Sequence, residues 1–218
     1  MNVLKMIVYQ SMDAIQFLNE ECHVILASSS EPRAALLRQV GLRFQAISSN
    51  FAEDFDKSQF SPRSYALMNA QAKAAAVAEI CPDQTTPTLI IGSDSIVVAA
   101  NDQILEKCRS DDEAREMIRT LSGKSHSVVT AVSILMKVGK IKRVETNFVD
   151  ATQVQFHDIS FAEVEAYLET GEHQNKCGSY GIQGVGALFV KRIDGDFTTV
   201  IGLPLGQTLR KLRELIFQ

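Results

Sequence analysis

Two hydrophobic periods follow one another along this chain, and the places where they change divide it into elements. Val24 to Ala27 is a short apolar run of the kind a buried strand makes, and the polar stretch Ser28-Ser29-Ser30 ends it. Ser30 is placed to cap a helix that carries Pro32 in its first turn, runs to Val40 and stops at Gly41. A polar, acidic loop leads to Ser61-Pro62. That pair opens an alanine-rich helix reaching about Ile80, with Tyr65, Asn69, Lys73 and Val77 at four-residue spacing along one face. Thr88 to Ala100, TLIIGSDSIVVAA, is β-rich on both sides of a Gly-Ser-Asp-Ser centre. Ser110 with Glu113, and Ser160 with Glu163, have the spacing of capping boxes, and Gly123 and Gly171 close the helices they open. Between those helices, Ser127 to Lys137 and Ile141 to Phe156 read as two long strands joined around Val138-Gly139-Lys140. Ala187 to Ile193 and Thr198 to Ile201 also read as strands, and Pro204 opens a final amphipathic helix through Leu205, Leu209, Leu212 and Ile216. Helices and strands alternate without a strict βαβ rhythm, which predicts an α/β fold with a mixed sheet and flanking helices. Residues 1–22, with Asp13, Glu20 and Glu21 and a single lysine, do not read as a targeting segment and are expected to form a helical extension packed on one domain spanning 23–218.

Composition narrows the partners. The 218 residues are 45% hydrophobic, enough for the core of one domain or two intimate lobes. A net charge of −4 with mixed signs provides no broad basic surface, so a small molecule is expected rather than nucleic acid. No uncharged apolar run reaches the roughly 18 residues that span a bilayer, so no membrane partner is expected. Cys22, Cys81, Cys108 and Cys177 are widely spaced without a C-x-x-C pair, which suits reduced thiols and a cytoplasmic setting. His23, His126, His157 and His173 have no i, i+4 pairing of the kind that holds zinc.

Three tempting motifs fail on context. SGKSH at 122–126 lacks the earlier glycine of a phosphate-binding loop, since Ile118 stands there inside a predicted helix. GIQGVG at 181–186 has the spacing G-x-x-G-x-G, not that of a dinucleotide fingerprint. No G-x-S-x-G elbow supports the serines at 28–30 as nucleophiles.

What survives is a constellation. A strand that runs through serines into a helix N-terminus offers orphan N–H groups, hydroxyls and the positive end of the helix dipole to an anion. Arg33 lies in that first turn, where a cation is unfavourable unless an anion or acid is close. Asp94 sits in a strand apolar enough to be buried, so its carboxylate needs a partner. Lys73 has little polar company on its helix, Lys107 follows Ile104-Leu105, and Glu53 and Asp54 lie in the acidic loop. Two carboxylates, two lysines, an arginine and an anion-binding helix terminus describe a polyphosphate held with a divalent ion.

These residues also carry a resemblance. ILASSS with Arg33, IGSDSIVV with Asp94, LSGKSH, the run KCGSYGIQG from Lys176 to Gly184, and IGLPLG at 201–206 together resemble the Maf-like nucleoside triphosphate pyrophosphatases, from about Val24 onward. The resemblance implies a fold similar to inosine triphosphate pyrophosphatases, two lobes around a cleft, and a homodimer. It implies hydrolysis of a nucleoside triphosphate at the α–β bond, with dTTP and UTP or 7-methyl-GTP as family substrates and Mg²⁺ or Mn²⁺ as cofactor. Carried over by position, Asp94 would activate water and share the metal with Glu53. Ser28, Ser30, Arg33, Lys73 and Lys107 would hold phosphates, and Gln183 would line the nucleotide pocket. A catalytically impaired nucleotide-binding regulator, linked to cell-division arrest, is the alternative.

The chain departs from the family pattern near the phosphates. L-A-S-x-S-P-R-R reads LASSSEPR here, so that Glu31 replaces proline and Pro32 the first arginine in a gapless alignment, while an insertion would instead put Ala34 at the second arginine. Either way one basic residue is lost. G-K-P has become Glu106-Lys107-Cys108, and T-G-V has become Thr130-Ala131-Val132.

Overall fold

The computed structural model describes residues 14–139 and 142–217, with the side chains of Lys142 and Arg143 left out. After a helix over 14–21 (α1), strand β1 (His23–Leu26) feeds helix α2 (Glu31–Gln39), and a two-residue strand β2 (Gln45–Ala46) follows. Helix α3 (Pro62–Ile80) precedes the long strand β3 (Thr88–Val98) and the short β4 (Ile104–Leu105). Helix α4 (Asp111–Leu121), strands β5 (Ser125–Val138) and β6 (Lys142–Phe156), and helix α5 (Phe161–Glu169) come next. Strand β7 (Val190–Asp194), helix α6 (Phe197–Ile201) and helix α7 (Leu205–Ile216) complete the order.

The sheet runs β2-β1-β3-β5-β6-β7, with β4 added to β3. The β1 pairings to β2 and β3 are parallel and the others antiparallel, which makes the mixed sheet the sequence pattern predicts. Strand β3 is an unbroken ladder with β5 through Gly92-Ser93-Asp94-Ser95, so the polar centre does not interrupt it. Its two ends belong to different packing units. Leu89 and Ile91 pack with Leu36 and Leu37 of α2 and Leu212 and Leu215 of α7, whereas Val97 packs with Ala114, Ile118, Val164 and Leu168 of α4 and α5. The other face is covered by α3, which sets Ala74 and Val77 against Ile90, and Tyr65, Ala66 and Ala70 against Ile96 and Val98. The cleft opens where these units meet, beside the middle of β3.

Several sequence expectations are met and some are corrected. Gly41, Gly123 and Gly171 do take the left-handed conformation as helix exits, at φ +78, +69 and +71. The capping box at Ser160 has both arms, but at Ser110 the Glu113 carboxylate accepts the N–H of Arg109 instead, 2.8 Å away. Ser30 occupies the N-cap of α2 without capping it through its side chain; the Ser30 N–H instead donates to Ser28 Oγ at 3.1 Å. Thr198 to Ile201 is a helix, not a strand. Asp196 caps it by accepting the Thr198 N–H at 2.8 Å, and Gly202 ends it at φ +117, so local caps override the β-branched composition. Of Ala187 to Ile193, only the part from Val190 is strand, because Val185–Phe189 forms a 3₁₀ turn. Strands β2 and β4 are too short to leave a periodic signal. Lys140 and Ile141 of the expected turn, and residues 1–13 of the expected helical extension, lie outside the described residues. In α1, Leu18 is buried in the core and Asn19 Nδ2 donates to Gly41 O at 2.9 Å, tying the helix to the exit of α2.

Candidate active site

Alternation along β3 aims its polar centre in two directions. Asp94 shares the face of Ile90, Gly92 and Ile96 that meets α3, and Ser93 and Ser95 point the opposite way, toward α2 and the turn after α6. On the α3 side, Lys73 Nζ lies 2.6 Å from Asp94 Oδ1 and 3.0 Å from Glu53 Oε1, and Lys107 Nζ lies 3.8 Å from Glu53 Oε1. Asn69, one turn before Lys73, donates from Nδ2 to Asp94 Oδ2 at 3.4 Å. Asp94 and Lys73 are 4% and 7% exposed, so the pair meets with little water to weaken it. Helix and strand come this close because residue 92 is glycine: a Cβ there would sit 2.2 Å from the Ala70 carbonyl oxygen.

The two carboxylates around Lys73 are pushed apart in proton affinity. Burial raises Asp94 above the usual carboxylate range against the pull of Lys73. For Glu53 burial also works upward, but Lys73 and Lys107 together outweigh it and hold the group below that range. Asp94 is therefore the better proton acceptor, and Glu53 the more persistent charge.

On the opposite face, the β1–α2 junction brings in its serines and arginine. Arg33 Nε donates to Gly202 O at 2.7 Å, Nη2 to Ser95 Oγ at 3.0 Å and Nη1 to Ser28 Oγ at 3.4 Å. Burial lowers the guanidinium from its usual value while the Asp94 charge pulls it back. Glu31, the acid in the serine junction, pairs with Arg38 at 2.5 Å and is exposed. Its charge is spent on its own helix.

The far end of the cleft is built by the chain after α5. Glu172 accepts the N–H groups of Val185 at 2.6 Å and Gly186 at 3.1 Å, which fixes the turn that carries Gln183. The carboxylate packs directly against Gly184, where a Cβ would lie 2.2 Å from Glu172 Oε2 and push it off these N–H groups. That close turn, not a dinucleotide loop, accounts for the glycine spacing at 181–186. Tyr180 lines the cleft and its hydroxyl meets His126 Nε2 at 2.7 Å; burial pushes His126 down to about 4, so the ring is neutral at pH 7. Cys177 also lines the cleft, but burial pushes its thiol up to about 12, which rules it out as a nucleophile at neutral pH.

All eight residues picked from sequence, Ser28, Ser30, Arg33, Glu53, Lys73, Asp94, Lys107 and Gln183, line this single cleft of about 840 Å³. The sequence reading missed Asn69, Ser95, Thr130, Glu172 and the Tyr65–Glu106–Lys57 chain, in which Tyr65 Oη and Lys57 Nζ each reach Glu106 at 2.7 Å. For Asn69 and Tyr65 a signal existed, the four-residue stripe that already contained Lys73. The others meet their partners only across the fold.

Among the described residues no group of three or more His, Cys, Asp or Glu side chains converges as a closed metal site. Glu53 and Asp94, bridged by one ammonium at the edge of an open cleft, nevertheless fit Mg²⁺ or Mn²⁺, hard cations that take one or two carboxylates and complete their shell with water and substrate phosphates.

Known proteins are similar to this chain over most of its length. The "dTTP/UTP pyrophosphatase" of Geobacillus sp. is 43% identical over 192 residues, covering 88% of this chain and 97% of that protein. The protein of the same name from Bacillus velezensis is 41% identical over 191 residues, covering 88% and 95%. Among solved structures, a nucleoside-triphosphatase / dITP/XTP pyrophosphatase from Mycobacterium abscessus is 13% identical with a TM-score of 0.42, over 89% of this chain and 96% of that one. The profile of the Maf-like protein family matches residues 23–215, and the chain belongs to that family.

Proposed function

We propose that this protein is a nucleoside triphosphate pyrophosphatase that takes dTTP or UTP and releases the nucleoside monophosphate and pyrophosphate. The observation that carries the reading is the Asp94–Lys73–Glu53–Lys107 cluster beside Arg33, a buried base among cations in one cleft. The names of relatives at 43% and 41% identity support the choice of pyrimidine nucleotides.

In this reading the triphosphate lies along the mouth of the β1–α2 junction. Ser28 and Ser30 donate hydroxyl hydrogen bonds, and the N-terminus of α2 adds its dipole. Asp94 takes a proton from a water molecule, whose oxygen attacks the α-phosphorus. The bond from that phosphorus to the bridging oxygen breaks, and pyrophosphate leaves with the electron pair. Arg33, Lys73 and Lys107 offset the charge that grows on the leaving group, where fixed cations have most effect. A divalent ion held by Glu53 and Asp94 would supply further charge neutralisation on the phosphates. Gln183 and the turn fixed by Glu172 receive the base. The family resemblance also supports a cytoplasmic homodimer, in which residues 23–218 form the catalytic domain and 1–22 an extension.

A panel of nucleoside triphosphates, coupled to inorganic pyrophosphatase and phosphate detection with Mg²⁺ or Mn²⁺, tests this directly. Turnover should be highest with dTTP or UTP and should fall about 10²- to 10⁴-fold in Asp94→Asn, the usual worth of a general base. Wild-type rates equal to those of the variant on every nucleotide would overturn the reading. Nucleotide-induced stabilisation without turnover would point to the regulatory alternative instead.

A further inference from the structure

Arg33 is held by a line of buried hydroxyls, and the direction of the hydrogen bonds along that line is decided by the fold. Thr130 lies on β5 directly opposite Ser95 of β3 and is fully buried. Its hydroxyl donates to the Thr199 carbonyl of α6 at 2.8 Å, which spends its only proton. The Ser95–Thr130 contact at 2.8 Å must then run from Ser95 as donor to Thr130 Oγ1 as acceptor. With its proton committed, Ser95 Oγ can only accept toward the cleft, and what it accepts is Arg33 Nη2 at 3.0 Å. Thr199 is anchored in turn, its own hydroxyl donating to Asp150 Oδ2 of β6 at 2.5 Å. The Nε side of the guanidinium is fixed in the same manner. It donates to Gly202 O, which lies 3.0 Å from Ser93 Oγ, a hydroxyl whose one proton is shared between that carbonyl and Ala131 O at 3.1 Å. A side chain at Gly202 is disfavoured by its φ of +117, and its Cβ would also press at 3.3 Å on both Arg33 Nε and Ser95 Oγ.

From this geometry we infer that Ser95 and Thr130 are positioning residues for Arg33: they polarise one another so that the Ser95 hydroxyl, although it lines the cleft, serves as an acceptor for the guanidinium and not as a phosphate donor. The arrangement locks the guanidinium plane before substrate arrives and leaves its remaining N–H groups to a phosphate. The inference rests on Arg33 facing the phosphates, as in the proposed function.

Steady-state kinetics of Thr130→Val, Thr130→Ser and Ser95→Ala, each in wild-type and Arg33→Ala backgrounds, with dTTP or UTP, tests it. Thr130→Val keeps shape and removes the acceptor that holds the Ser95 proton, so the Ser95–Arg33 bond is weakened at second hand and kcat/KM should fall by up to about tenfold, the most that losing that one hydrogen bond to a charged group would cost. Thr130→Ser should restore most of that loss. Ser95→Ala, on a half-buried residue and with Thr130 intact, should reproduce the effect even if Thr130→Val folds poorly. In the Arg33→Ala background neither substitution should matter further. Equal losses in both backgrounds, or no loss for Ser95→Ala, would overturn the inference while leaving the proposed function intact. If Arg33→Ala alone leaves kcat and KM unchanged, it is the phosphate-facing role of Arg33 that fails.

Discussion

At the scale of single residues, the cleft shows why chemistry cannot be assigned by residue type alone. Ser28, Ser30 and Ser95 all carry hydroxyls into the cleft, yet the proton of Ser95 is bound to Thr130, and that leaves it an acceptor. Glu31 gives the opposite lesson. Its place in the serine junction suggests an acid working against phosphate, and Glu31 does line the cleft, but its carboxylate is exposed and paired with Arg38 of the same helix. Glu31→Ala should therefore change kcat/KM by less than about twofold, because an exposed ion pair has little energy to lend or remove. A change of tenfold in the nucleotide assay would mean that the acid does reach the substrate. Serine clusters and an arginine in a first turn were legible from sequence as an anion site. The orientation of Ser95 was not, since it depends on a hydroxyl 35 positions away on another strand.

Between elements, the decisive contact is that of α3 on β3. Both are legible in the sequence, α3 from its Ser61-Pro62 start and β3 from its β-branched flanks, and Asp94 and Lys73 were each conspicuous as charges in apolar surroundings. Nothing in either segment said that they would meet at 2.6 Å. Gly92 makes the meeting possible, and Gly92→Ala should separate the two elements, since its Cβ would press on backbone at Ala70 and on Ala74. We expect a loss of about 3 kcal/mol in chemical denaturation, at the upper end of overpacking effects, with kcat reduced more than KM is raised. Unchanged stability together with full activity would show that α3 can shift without cost. A similar argument applies to α1. Leu18 is 1% exposed within the same core as Leu212, so Leu18→Ala should cost about 2–5 kcal/mol and lower the melting temperature accordingly. A melting temperature within a degree of the wild type would show that α1 adds nothing to the core.

Across the whole molecule, stability should depend on pH through a residue outside the reaction. His126 is 2% exposed among Phe156 and Tyr180, and burial lowers it to about 4 from 6.5. The unfolded chain then binds the proton more readily than the folded one. Stability from this group is complete above about pH 6.5 and is lost as pH falls toward 4, by up to roughly 3 kcal/mol. Urea denaturation of wild type and His126→Gln from pH 7 to pH 4 should show the difference between them shrinking by that amount; parallel curves would refute it. The sequence by itself determined the element order apart from the shortest strands, helix α6, which reads as a strand, and the 3₁₀ turn before β7, together with the mixed α/β class and the charged residues picked for the site. Those features follow from local periodicity, caps and composition, which need no partner to be read. Only the tertiary structure decided that eight distant residues share one cleft, that Asp94 and Glu53 flank a single lysine and have their proton affinities shifted in opposite directions, and that Arg33 is locked by hydroxyls from other strands. Burial and hydrogen-bond direction depend on what packs against a group from elsewhere in the chain, and that is set by the closing of the fold.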